Sequence, residues 1–360
     1  MARPREARFT DPLVYLAIRA ALGVPLVAGV GPSTRAGDAI GRWFGSLRSN
    51  RKRVERARTA IVRAFPDWPS DRVERVSLDA YAHLFRLAAE VAFMPRLLTE
   101  DTWPARVDLS LDDPSSSVVG ALRELSRGRP VVLITGHCGN WEVLGYTLAL
   151  LGFPMHALYR PLDVRPLDAW VRRTRGRRGM VLVDKFGALR RLPAVMERGE
   201  LAAFVADQNA GDRGLFVPFF GRLASTYKSI GLVAMQHRAT VLCGCAVRDP
   251  ARPFQYRVEV VDTFHAEDYM AHPDPLFYLT ARYRRAIEAM VRLAPEQYLW
   301  MHRMWKSRPK HERAGRAFPG ALRDKLASLP WMGAADVDAI VAQSDEDAAT
   351  LKRLGTDRLP

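Results

Sequence analysis

Residues 131–152 read VVLITGHCGNWEVLGYTLALLG, and how this stretch divides decides the fold. VVLIT, Val131 to Thr135, is short, rich in β-branched residues and preceded by Gly128 and Pro130, the pattern of a core strand. Val143, Leu144, Leu148 and Leu151 then recur at helical spacing, and Gly152 supplies a stop. His137 therefore falls at a strand-to-helix corner, with Glu142 in the first turn of the helix. Open α/β sheets bind their ligands at such corners, beyond the carboxyl ends of the strands.

Outward from this corner the same alternation continues. Apolar runs suited to strands occur at 131–135, 155–159, 180–183, 201–206, 241–247 and 256–261, with helical stretches between several of them. This alternation predicts an α/β fold, a central mixed sheet flanked by helices. Residues 36–105 read as helical, broken by the Pro66-Asp67-Trp68-Pro69 turn, and 275–293 as a closing helix. Three regions follow: 1–105, helical and membrane-associating; 106–306, the α/β core; and 307–360, a tail that shifts from basic to acidic. No internal repeat or low-complexity segment interrupts them.

The 360 residues are 48% hydrophobic and 26% charged, enough apolar material for a sizeable core and unlike a disordered chain. The net charge of +15 points to an anionic partner: nucleic acid, anionic lipid or an acidic protein. Cys138, Cys243 and Cys245 are an odd number at spacings that form no disulfide framework, which suggests a reducing compartment. Leu13 to Val30 is an 18-residue apolar segment containing Arg19 and Pro25 and preceded by Arg3, Arg5 and Arg8. It falls slightly short of the ~20 residues of a full span. The preferred reading is an interfacial or weakly spanning anchor with its basic end in the cytoplasm; the alternatives are a core helix and a cleaved signal peptide, against which Arg19 counts.

His137 and Glu142 suit acid–base chemistry. A carboxylate on one imidazole nitrogen fixes the tautomer and stabilises the imidazolium, while the other nitrogen takes a proton from a hydroxyl. The attacking group is then the substrate alcohol, and backbone amides at the helix start could meet the developing oxyanion. Cys138 beside His137 invites a thiol-nucleophile reading. Adjacent residues of an extended segment point to opposite faces, however, so a buried, inert cysteine is the better account. Cys243-x-Cys245 lacks a second chelating pair, so no metal site is expected. A Walker loop and a post-strand GxGxxG are both absent.

GHCGNWE resembles the active-site motif of the lipid A biosynthesis lauroyl/myristoyl acyltransferases, membrane-associated enzymes that acylate a hydroxyl of a glycolipid. Three further blocks occur in the family's order: LYRP, 158–161; VADQNAGDRGLFVPFFG, 205–221; and EQYLWMHRMWK, 296–306. The resemblance implies His137 as general base and Glu142 as its orienting carboxylate. It makes Asn140 and Trp141 support for the corner, and places Arg160, Asp207 and Asn140 at the substrate, with Asp207 at the mouth of the site. It implies no cofactor and no metal, only an acyl donor carried on acyl carrier protein or CoA. Two positions depart from the family pattern: Gly136 stands where Asn is usual, and Met304 where a second Arg is common.

Basic clusters at Arg48, Arg51, Lys52, Arg53, Arg56 and Arg58, and at Arg172, Arg173, Arg175, Arg177 and Arg178, suit anionic headgroups and an acidic carrier protein. Nucleic acid is the rival partner, but no helix-turn-helix, zinc or aromatic RNP pattern accompanies the charge. The expectation is an acyltransferase on the cytoplasmic face of a bacterial inner membrane, moving a fatty acyl group from a thioester to a phosphorylated lipid A precursor. The alternatives are the same chemistry on another glycolipid, such as a phosphatidylinositol mannoside, and a basic membrane-binding protein with a degenerate site.

Overall fold

The computed structural model describes residues 10–359; Arg3, Arg5 and Arg8 of the basic N-terminus lie outside them. The chain opens with four helices, α1 (Asp11–Ala28), α2 (Val30–Ser46), α3 (Arg51–Ala64) and α4 (Ser70–Leu97). The core then runs β1 (Val107–Asp108), α5 (Ser117–Leu125), β2 (Val131–Thr135), α6 (Trp141–Leu150), β3 (Met155–Tyr159), α7 (Arg165–Arg175) and β4 (Val181–Asp184). It continues through α8 (Ala188–Glu197), β5 (Leu201–Val205), β6 (Leu215–Phe219), β7 (Arg222–Thr226), α9 (Lys228–Gln236), β8 (Thr240–Arg248) and β9 (Tyr256–Phe264). Helices α10 (Ala266–Met270) and α11 (Pro275–Leu293) close it, and α12 (Lys310–Arg313), α13 (Gly320–Ala327) and α14 (Ala334–Leu354) form the tail.

Seven strands make one mixed sheet in the order β1-β9-β8-β2-β5-β3-β4, with β8 and β9 the antiparallel pair. Helices cover both faces, which is why the central strands are apolar at successive positions rather than alternating. Val132 and Ile134 of β2 point into the cluster shared with α11 and α9, whereas Val131 and Leu133 point into the cluster shared with α5 and α6. The sheet and its flanking helices agree with the expected α/β class.

The hairpin β6–β7 has no counterpart in the sequence reading. Its two-residue turn places Phe220 at φ 48° and Gly221 at φ 67°. Both central residues of such a turn need positive φ, where a bulky residue is rare. Phe220 is held there by its N–H, which donates to Glu288 at 2.6 Å, and by packing against Phe65 and Trp300. Pro218 is tolerated because the sheet has only two strands, so an outward-facing edge remains.

Helix α1 is apolar and solvent-facing. It is the one helix among the described residues long and apolar enough to cross a membrane, by length and composition, and only 6% of that stretch is buried. Leu13, Leu16, Val24 and Val27 are exposed, which does not fit a core helix. Gly29, at φ 86°, separates α1 from α2. On α2, Gly37, Gly41 and Gly45 form a four-residue-spaced stripe against α4; a Cβ on Gly41 would lie 2.5 Å from the Tyr81 carbonyl oxygen. The opposite side of α2 exposes Ile40 and Trp43.

The tail folds back onto the core around buried charges. Arg308 grips Glu312 and also reaches Asp347 on α14 at 2.6 Å; Asp347 in turn receives the guanidinium of Arg222 from β7. Burial of such a cluster is tolerable only because each cation meets a carboxylate.

Candidate active site

The corner after β2 is built by pairing that sequence spacing alone does not reveal. Strands β2 and β5 are parallel neighbours, with Thr135 opposite Val205. The Ala206 N–H donates to the Thr135 carbonyl at 2.8 Å, one step beyond. A further step places His137 beside Asp207, and His137 Nδ1 lies 2.7 Å from Asp207 Oδ1. Asp207 is fully buried, while His137 keeps 17% of its side chain exposed.

This contact sets the electrostatics. Burial alone would lower the His137 pKa, but the charge and hydrogen bond of Asp207, with Glu142 behind them, outweigh it and hold the imidazole above its usual 6.5. Burial would raise Asp207, yet the facing imidazole, His302 and Arg284 hold its carboxyl well below the ordinary carboxylate range. With Nδ1 bonded to a carboxylate, Nε2 is left as the proton acceptor. The Trp141 ring stands edge-on at 4.8 Å and the His302 ring at 5.0 Å, so the imidazole is walled on two sides.

The sequence reading placed Glu142 on the imidazole, but Asp207 occupies that position. Glu142 faces the other way. Both its oxygens are gripped by Arg175 of α7, one of them at 2.7 Å from Nε, and Trp141 Nε1 donates to it at 3.1 Å. The reason is geometric. Glu142 rides on the first turn of α6, which projects it toward α7, whereas Asp207 shares the edge of the sheet with His137. Asp207 is accordingly buried under the imidazole rather than at the mouth of the site.

Asn140 likewise differs from the substrate role. Its Oδ1 caps α6 by accepting the Val143 N–H at 3.0 Å, and its Nδ2 donates to Glu90 at 2.9 Å and to Tyr256 at 3.2 Å. The side chain is fully buried, so its bonding capacity is directed inward. Glu90 is also gripped by Arg248 through two 2.6 Å bonds. Arg160, at the end of β3, is largely exposed and lies 3.9 Å from Asp163, with no contact to His137. It stands on the same edge of the sheet two strands away, beside Lys185, whose pKa is lowered by burial and then by the Arg160 charge.

The remaining corner residues make close contacts within the chain. Gly139 sits at φ 59°, and a Cβ there would meet the Ala246 carbonyl oxygen at 2.2 Å. Cys138 is buried and points away from the imidazole, its sulfur 3.9 Å from Met290. The Gly139 and Asn140 N–H groups are taken by Gln297 O and Ala246 O. A Cβ on Gly136 would lie 3.1 Å from Ile287 and from the Cys138 sulfur, so this corner has little room for a larger side chain. Met304 is buried, and its sulfur accepts the Tyr298 hydroxyl at 3.0 Å.

Several site residues escaped the sequence reading. Arg175 lies within a basic stretch of the sequence, yet it neutralises Glu142. Arg284 is buried beside Asp207, donating to Ala206 O at 3.2 Å and lying over Phe219 at 3.8 Å. Its signal was a charged residue on the apolar face of α11, in step with Ala281 and Ile287. Glu90 carried the same signal on α4.

A sequence model of the bacterial lipid A biosynthesis acyltransferase family matches residues 12–307. The chain is 25% identical over 275 residues to a lipid A biosynthesis acyltransferase of Haemophilus influenzae, an alignment covering 76% of this chain and 81% of that protein. It is 31% identical over 193 residues to a lipid A biosynthesis palmitoleoyltransferase of Escherichia coli, covering 53% of this chain and 60% of that protein. The family match runs from the apolar helix through the sheet and its corner to the C-terminal signature, and the chain is therefore a member of the bacterial lipid A biosynthesis acyltransferases, an acyltransferase by family.

Proposed function

We propose that the protein transfers a fatty acyl group from an acyl thioester to a hydroxyl of a phosphorylated lipid A precursor, with His137 as general base and Asp207 as its orienting carboxylate. The observation that carries this reading is the His137–Asp207 contact at the carboxyl edge of the sheet, in a chain of this family. His137 Nε2 takes the proton of the attacking hydroxyl. The hydroxyl oxygen adds to the thioester carbon, and the departing thiolate takes the proton back from the imidazolium. Asp207 stabilises the intermediate imidazolium. Glu142 and Arg175 brace α6 against α7 and so hold the corner.

The surroundings favour anionic substrates. Arg160 and Lys185 lie along the same edge of the sheet. Arg56 donates to Met301 O at 3.5 Å and has its pKa lowered by burial and then by Arg303 and Arg53, which places three cations around the segment carrying His302. Guanidinium groups bind phosphate in bidentate fashion. An acidic carrier protein and a phosphorylated glycolipid both fit this surface, and CoA is the alternative donor. The exposed apolar faces of α1 and α2 set the enzyme against a bilayer, which we assign to the cytoplasmic face of the inner membrane.

The test is acyl transfer by purified enzyme to a phosphorylated lipid A precursor and to its dephosphorylated form. The phosphorylated acceptor is expected to be preferred, and Arg160→Ala to shrink that preference. A neutral glycolipid acylated equally well would refute the lipid A assignment.

A further inference from the structure

The segment after α11 is woven into the catalytic corner. Gln297 O accepts the Gly139 N–H at 2.9 Å, and the Leu299 N–H donates to His137 O at 3.3 Å. One turn further, the His302 N–H donates to Leu299 O at 3.1 Å. This short path, two hydrogen bonds from the backbone of His137, presents the His302 ring 5.0 Å from the His137 ring and tilted 42° to it. His302 is half-buried, and its imidazole makes no hydrogen bond to another described residue. The amides of Gly139, Asn140, Val143 and Leu144 are engaged within the corner, which leaves those of Trp141 and Glu142 as the backbone donors at the start of α6.

We propose that His302 is a second catalytic residue, whose ring N–H donates to the thioester carbonyl oxygen as it becomes an oxyanion. This assignment rests on the acyl transfer proposed above. When the substrate oxygen adds to the carbonyl carbon, its proton passes to His137 and the carbonyl electron pair moves onto oxygen. His302 meets that oxygen. Collapse then breaks the carbon–sulfur bond, the pair leaves with sulfur, and the thiolate takes the proton held by His137. His302 begins and ends the cycle neutral. Burial and then the neighbouring His137 lower its pKa, which suits a neutral donor beside a charged imidazolium.

The test compares His302→Ala, His302→Gln and His302→Phe in the full-length enzyme, with acyl-carrier-protein thioester and phosphorylated lipid A precursor. Loss of one oxyanion donor costs about 10²–10³ in kcat. The Ala and Phe variants are expected to fall by that factor with KM for either substrate changed less than about threefold. Gln, which keeps an N–H donor, is expected to recover at least about tenfold over Ala. An acyl phosphonate that mimics the tetrahedral oxyanion should bind the Ala variant more weakly by the factor lost in kcat/KM, while donor binding is unchanged. Near-normal activity of the Phe variant would show that the ring only fills space. Rescue of the Ala variant by a thioester with a better leaving group, without rescue by Gln, would make His302 an acid for the thiolate. Either outcome overturns the oxyanion assignment and leaves the His137 mechanism standing. A wild type that transfers no acyl group overturns both.

Discussion

His137 and Asp207, 70 residues apart, each stand two positions beyond a paired residue on adjacent parallel strands, and the 2.7 Å contact between them follows from that register. Its pH behaviour has a definite sign. Since the folded pKa of His137 is raised above 6.5, its contribution to stability is fully present below 6.5 and is lost as pH rises through the raised value. Asp207 is depressed below 3.8, so its contribution is present above 3.8 and is lost as pH falls through the depressed value.

Activity runs opposite to the histidine term, because the base must be neutral. The expected kcat/KM therefore climbs with pH through a midpoint above 6.5. Asp207→Asn should move that midpoint down and lower the plateau by about 10²–10⁴. A pH–rate profile with the midpoint unmoved in the Asn variant would remove Asp207 from the mechanism.

Glu142 and Arg175 behave as a unit. Glu142→Gln is expected to leave Arg175 uncompensated and destabilise the fold by ~3 kcal/mol, the low end for breaking a buried pair. Arg175→Gln should cost a similar amount. The double variant should cost much less than their sum, because both charges are gone. Urea denaturation of the three proteins gives the coupling, and strict additivity would mean that the contact contributes nothing. The pH–rate midpoint should move far less in Glu142→Gln than in Asp207→Asn.

Attachment through α1 is also testable. Full-length protein is expected to stay with membranes through a high-salt wash. Protein lacking residues 1–30 should be released far more readily by the same wash, because only the smaller apolar face of α2 and screened charge contacts remain. Release of the full-length protein by salt alone would show that α1 does not insert.

Much of the sheet was legible in the chain. β2, β3, β5, β8 and β9 announce themselves as short apolar runs because both faces of the sheet are covered. The partner of His137 was not legible, and the reason is topological. β5 inserts between β2 and β3, and nothing local to residues 131–142 says which later strand will lie alongside. Glu142, four residues away, was the nearest carboxylate in sequence but rides on a helix that turns it toward Arg175. The hairpin β6–β7 was hidden for another reason. Its turn uses Phe220 where Asn or Asp would normally signal positive φ, and tertiary contacts from Glu288 and Trp300 hold that residue in place.

The glycine stripe of α2 has a mechanical consequence for the corner. Beside it, Asp38 of α2 receives Arg86 at 3.1 Å, Arg86 reaches Glu90, and Glu90 holds the Asn140 cap of α6. With Gly41 against the Tyr81 backbone, α2 sits on α4 in close backbone contact. The packed pair α2–α4 is thus a buttress behind the residue that caps α6.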